Sequence, residues 1–180
     1  ETISATLYRH RELILRRYRA EVEDLFGRFS HSLSRVGVSE TMTIQLMDYS
    51  ISLPETLDEV SPRYREMPYR VFLSYVAARI DKCRKDADGG YEKPGELLTD
   101  LRIMEESLAN HRGGHAGLYR LRRLIRRVQT FGFHLATLDV RQDALVHRCV
   151  VGKLLGVDGF VDLTGDRRTE LLEGALADNG

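Results

Sequence analysis

A chain of 180 residues is long enough to bury roughly 70% of the surface it exposes when unfolded, and a single domain over residues 1–180 is the expectation. Its 27 basic and 27 acidic side chains cancel, so no global field draws it to nucleic acid or to an anionic membrane, and any basic partner surface has to be local. Cys83 and Cys149 lie far apart without ligand spacing and read as two buried free thiols. No apolar run approaches the roughly 20 residues that span a bilayer, and no signal-peptide pattern opens the chain, so it reads as soluble and cytoplasmic.

From about Ser4 to Ser34, Ile14, Tyr18, Val22, Leu25, Phe29 and Leu33 recur at spacings of three and four, which predicts a long amphipathic helix or two nearly coaxial ones. Val36-Gly37-Val38 breaks it, and Ser39 is the predicted N-cap of a second helix from Glu40 to about Ser50. Pro54 and Pro62 bracket a polar connector. Pro68 suits a first helical turn, and Phe72, Leu73, Val76, Ala77, Ile80 and Cys83 carry a third helix to about Ala87, stopped by Asp88-Gly89-Gly90. Pro94 opens a fourth helix with Leu97, Leu98, Leu101, Met104 and Leu108. A loop from His111 to Gly117 precedes a fifth helix that bears Leu118, Leu121, Ile125 and Val128.

After Thr130-Phe131-Gly132 the period changes to two. Ala136, Leu138 and Val140 would face one side of a short strand, and Thr137, Asp139 and Arg141 the other. Helical spacing returns from about Leu145 to Leu155, a loop spans Gly156 to Thr164, and a last helix begins near Gly165 or Asp166. The fold class is therefore all-α, a helical bundle with one short strand. A lone strand cannot satisfy its own edge groups, so its partners are expected elsewhere. Glu1 in place of an initiator methionine points the same way, to a piece of a longer protein.

Phe131-Gly132 followed by Leu138-Asp139-Val140-Arg141-Gln142-Asp143 is similar to the phosphoenolpyruvate carboxylase segment that reads FG, a few residues, then LDIRQES. Thr6-Leu7-Tyr8-Arg9-His10 and the arginine-rich helix after it resemble the helix that follows the family's GNP turn, and Pro68-Tyr69-Arg70-Val71 resembles its EPYR helix start. Leu97 to Leu108 and Leu121 to Val128 resemble the two helices before the strand, and His147 falls where the family has a histidine. Met67, Asp143 and Ala144 depart from the usual Glu, Glu and Ser, which fits a divergent or bacterial branch.

The resemblance implies a carboxy-lyase that joins bicarbonate to phosphoenolpyruvate through carboxyphosphate and an enolate, yielding oxaloacetate and phosphate. It implies Mg2+ held by acids outside this chain, no metal ligand within it, a cytoplasmic homotetramer when intact, and a strand that joins an eight-stranded barrel. The histidine-bearing TAHPTE segment and the glycine-rich catalytic loop are absent from these 180 residues, so the piece alone is expected to be inactive.

Charge that builds on phosphate and enolate oxygens calls for fixed cations, and arginine supplies a planar fork that stays charged. By resemblance Arg141 is the catalytic, substrate-binding arginine. Its alternative is an ion pair with Asp139 or Asp143. Gln142 would contact substrate, or share with Asp143 the capping of the helix before Leu145. Asp139 and Asp143 are expected behind Arg141 as orienting groups. Arg70 matches an arginine linked to a regulatory anion site in plant members, with a surface salt bridge as its alternative.

Two other features compete for attention. His111 and His115 have an HxxxH spacing, but Gly113 and Gly114 make a helix there unfavourable, so a solvated loop is the reading. Arg120, Arg122, Arg123, Arg126 and Arg127 are the basis of a second function, a module binding nucleic acid or an acidic partner through helix 118–128. Neutral net charge and the lack of interleaved aromatics oppose it.

Overall fold

The computed structural model describes residues 2–29, 37–111, 117–136 and 143–177. Among these residues the chain is all-α, with eight α-helices and no strand. They are α1 (Thr2–Arg28), α2 (Glu40–Ser52), α3 (Pro54–Glu59), α4 (Pro68–Arg84), α5 (Pro94–Asn110), α6 (Leu118–Phe131), α7 (Ala144–Leu155) and α8 (Gly165–Ala177). The predicted strand falls almost wholly on 137–142, outside the described residues. Contacts divide the chain into two compact units, Glu1–Thr137 and Leu138–Gly180, where length alone suggests one domain.

The first unit is built on the predicted apolar stripes. Ile14, Leu15, Tyr18, Val22 and Leu25 of α1 are buried, and α1 packs on α4, whose Phe72, Leu73, Val76 and Ile80 are buried in turn. Each such side chain contributes about 1.5–3 kcal/mol on leaving water. Leu97, Leu101, Met104 and Leu108 of α5 meet α6, which buries Leu121, Leu124, Ile125 and Val128. Tyr18 ties the two pairs together, its hydroxyl donating to the Gly132 carbonyl at 2.9 Å.

Local chemistry explains where the helices start and stop. Ser39 caps α2 as predicted, its Oγ accepting the Met42 N–H at 3.3 Å. The connector between Pro54 and Pro62 is more regular than predicted: Pro54 opens α3, and Pro62 opens a 3₁₀ turn over Pro62–Tyr64, because proline's fixed φ suits a first helical position. α4 ends at Arg84 rather than near Ala87. Asp86 turns left-handed there (φ 51°), and the Ala87 N–H returns to the Lys82 carbonyl at 3.0 Å, a helix-closing arrangement that satisfies the last carbonyls.

Gly90 lies against that helix end. A Cβ added there would sit 2.5 Å from the Cys83 nitrogen and 2.8 Å from its Cα, distances no side chain can adopt. This close approach delivers the next residue, Tyr91, into the core at 2% exposure. Gly90→Ala is expected to lift the loop, withdraw Tyr91 and cost about 1–3 kcal/mol, the scale of overpacking a tight interior. Urea unfolding of the variant beside the wild type measures it, and an unchanged midpoint would contradict the packing argument.

Ion pairs sew α1 to α4 at the surface. Arg84 donates to Glu12 at 2.6 Å, Arg16 joins from the next turn at 2.6 Å, and Arg19 pairs with Asp81 at 2.9 Å. The Arg84 guanidinium, with Arg16, holds the Glu12 carboxyl down at about 2, from an ordinary value near 4.5. A depressed carboxylate stabilises the fold above its unfolded value and loses that contribution as pH falls from 4.5 toward 2. Glu12→Gln is therefore expected to lower the unfolding midpoint at pH 6 and to converge on the wild type by pH 2. A gap that persists at pH 2 would mean that packing, not charge, makes the difference.

The second unit is thinner. Phe160 is 3% exposed and rests on Gly152, where an added Cβ would lie 2.6 Å from the Phe160 Cβ. Arg168 of α8 donates to the carbonyls of Val161 and Leu163, tying α8 to the preceding turn. Gly152 is the one fully buried residue of α7. Cys149 is exposed on this helix, which corrects the expectation of two buried thiols; Cys83, in the core of the first unit, is buried as predicted.

Candidate substrate-binding site

Asp139, Arg141 and Gln142 lie outside the described residues, but the structure shows how the chain is held on each side of them. In the first unit α6 closes at Phe131, and Gly132 (φ 53°) turns the backbone where a Cβ would be strained. Phe133 then re-enters the core at 4% exposure. In the second unit Asp143 is the N-cap of α7: its Oδ1 accepts the Leu145 N–H at 2.7 Å, and its carbonyl accepts the His147 N–H at 3.1 Å. Of the roles foreseen for Asp143, helix capping is visible, and it fixes the backbone two residues beyond Arg141.

Arg70 is not on the surface. It sits in the first turn of α4 at 9% exposure, its guanidinium 4.4 Å from the Tyr64 ring centroid and 5.3 Å from that of Phe26. One Nη donates to the Gly27 carbonyl at 3.3 Å, and Nε is buried without a partner. A surface salt bridge is thus replaced by a cation held between two rings, which the rings' negative faces favour once water is excluded. Phe26 and Tyr64 meet edge to face at 5.5 Å, completing the packing.

The arginines of α6 turn largely toward acids of the same unit. Arg120 pairs with Asp24 at 3.2 Å, Arg122 with Glu105 at 2.6 Å, and Arg127 with Glu21. Three of the five cations that would grip phosphates are engaged in holding α6 to α1 and α5, and the nucleic-acid reading gains no support. His111, at the end of α5, places Nδ1 2.8 Å from the Ser107 carbonyl; His115 is outside the described residues.

A list of apolar positions misses a buried carboxylate. Asp100 of α5 is 3% exposed and accepts from the Tyr49 and Tyr91 hydroxyls at 2.5 Å each and from Arg79 at 3.3 Å. Arg79 also donates to Tyr49 at 2.8 Å and to Glu96 at 2.9 Å, and lies 4.0 Å over the Tyr91 ring. Burial holds the Asp100 carboxyl above its ordinary range, with the tyrosines and Arg79 pulling the other way. The signal was in the spacing: Asp100 and Ser107 occupy the same face as Leu97, Leu101, Met104 and Leu108. Ser107 accepts the Ser39 N–H at 2.9 Å and bonds Tyr69 at 2.9 Å.

The described geometry is that of an all-α scaffold in which Arg70 and Asp100 are buried, Arg79 is paired with Asp100, and three arginines of α6 are paired with acids. The chain belongs to the phosphoenolpyruvate carboxylase family, whose model matches residues 1–179. It is 40% identical over 171 residues to the phosphoenolpyruvate carboxylase of Xanthomonas oryzae pv. oryzae, covering 95% of this chain and 19% of that protein. A second Xanthomonas relative, from X. campestris pv. campestris, is 42% identical over the same share of each chain. The phosphoenolpyruvate carboxylase of Rhodopseudomonas palustris is 30% identical over 187 residues, 96% of this chain and 19% of its own. The chain thus spans about a fifth of the length of these curated relatives.

Proposed function

We propose that this chain is one part of an enzyme that carboxylates phosphoenolpyruvate with bicarbonate, giving oxaloacetate and phosphate in an anaplerotic step in the cytoplasm. The family match over nearly the whole chain carries the reading. Within it, Arg141 binds the phosphate or carboxylate of the substrate, Gln142 assists it, and Asp139 orients the arginine. Asp143 acts through the cap that fixes the start of α7. For Arg70, packing between Phe26 and Tyr64 favours a structural role over a regulatory anion site.

The reaction calls for a divalent cation such as Mg2+ to neutralise phosphate and enolate charge. Among the described residues no group of three or more His, Cys, Asp or Glu side chains could hold one. No described helix is long and apolar enough to cross a membrane. A homotetramer is proposed for the intact protein on the family likeness.

The test is turnover. The intact protein should form oxaloacetate only when phosphoenolpyruvate, bicarbonate and Mg2+ are all supplied, read by coupling to malate dehydrogenase, while the 180-residue chain gives none. An intact protein that releases no phosphate dependent on bicarbonate would remove the assignment. Turnover by the chain alone would overturn its incompleteness but not the chemistry.

A further inference from the structure

A recess of about 200 Å³ opens between α2, α3 and the N-terminal half of α4. Val38, Leu46, Leu57, Pro68 and Val71 make its wall mostly apolar. Its four other lining residues are polar, and two of them have their hydroxyls engaged: Thr43 donates to the Ser39 carbonyl at 3.1 Å and Ser50 to that of Met47 at 2.7 Å. The other two, Arg65 and Tyr75, differ. Arg65 is exposed beside the 3₁₀ turn and pairs with no acid among the described residues.

Tyr75 is 1% exposed, and its hydroxyl is buried with no hydrogen-bond partner. Buried hydroxyls are nearly always satisfied, and an unsatisfied one in a native interior calls for an explanation. Tyr75 lines the recess together with Val71 and Pro68 of the same helix, and its ring packs 5.3 Å from that of Tyr49. Burial, with the nearby charges of Asp58 and Glu55, pushes the phenol up, so it stays a donor.

We propose that this recess binds a small monocarboxylate with an apolar body: the carbon chain lies along Val38, Leu46, Leu57 and Val71, the carboxylate pairs with Arg65, and the Tyr75 hydroxyl donates to a ligand oxygen. An apolar wall with one unengaged cation and one unsatisfied donor is the arrangement that orients such a molecule. The volume is below the roughly 300 Å³ at which drug-sized pockets begin, so the occupant is small. The site is independent of the carboxylation reading, since none of its residues is assigned to that chemistry.

The probes are butanoate, hexanoate and hexylamine, titrated into the chain by calorimetry at fixed ionic strength. Hexanoate should bind saturably and more tightly than butanoate, and hexylamine should not bind. Arg65→Gln and Tyr75→Phe should each weaken hexanoate by at least about tenfold, the factor a hydrogen bond to a charged group carries. Tyr75→Phe also separates a ligand from a bridging water: with no partner to lose, the unliganded variant should unfold at the same urea concentration as the wild type or higher, whereas loss of a bound water's bonds would lower it. Non-saturable binding, equal binding of hexylamine, unchanged affinity in either variant, or a destabilised Tyr75→Phe apo protein would each overturn the site.

Discussion

Arg141→Ala in the intact enzyme should lower kcat/KM for phosphoenolpyruvate by two or more orders of magnitude. The expectation follows from what the proposed reaction asks of a cation. Attack of bicarbonate on phosphorus breaks the bond to the bridging oxygen, which becomes the enolate oxygen, so negative charge builds there and on the phosphate oxygens, and a guanidinium fixed in advance stabilises it without solvent having to reorganise. Removing one such preorganised donor typically costs about 2.7–4 kcal/mol of transition-state stabilisation, or roughly 10²–10³ in rate. Arg141→Lys discriminates further, because an ammonium keeps the charge but loses the two-pronged geometry, and should fall between wild type and Ala. If the arginine grips the substrate equally in the ground and transition states, the loss will appear in KM; if it acts mainly on developing charge, in kcat. Initial rates at saturating bicarbonate separate these, and near-normal turnover by the Ala variant would remove Arg141 from the site.

How much of this was legible beforehand depends on the kind of interaction. The apolar stripes of α1, α4, α5 and α6 were readable because each is a one-dimensional repeat: Ile14, Tyr18, Val22 and Leu25 are spaced to share a face and are all buried. Caps were readable for the same reason, since Ser39 acts on a group three residues away. Arg70 was misjudged because its partners, Phe26 and Tyr64, come from another helix and from a 3₁₀ turn, and no spacing along α4 records them. Cys149 was misjudged because helical periodicity tells which residues share a face, not whether anything covers it. The regular helix in the Pro54 connector hid behind polar composition, although proline at a first position was already the signal. Of the candidate site only Asp143 could be followed from sequence to geometry, and there the shorter acid serves well, since Asp, unlike Glu, is among the preferred capping residues.

Asp100→Ala should be among the most destabilising single changes in the first unit, at about 3–5 kcal/mol, the scale of breaking one partner from a buried charged pair. With total stabilities of roughly 5–15 kcal/mol, that is enough to unfold a marginal domain. The carboxylate joins α2 through Tyr49, α4 through Arg79 and the loop before α5 through Tyr91, so its loss leaves two buried hydroxyls short of an acceptor and Arg79 with Glu96 as its remaining carboxylate. The size of the effect comes from those stranded groups rather than from the pair's own strength, and this can be checked. Replacing Asp100 and Arg79 together by leucine and methionine should cost less than the sum of the two single changes, because nothing charged is then left buried. The pH dependence runs opposite to that of Glu12. Burial raises the folded carboxyl above its unfolded value of 3.8, so the folded chain holds this proton where the unfolded chain has released it, and the group's contribution falls as pH rises from 3.8 through the raised value. Urea midpoints of wild type, both single variants and the double variant across that window decide the matter. A fully additive cycle, or an Asp100→Ala protein as stable as wild type, would show that the three elements are held by apolar packing alone.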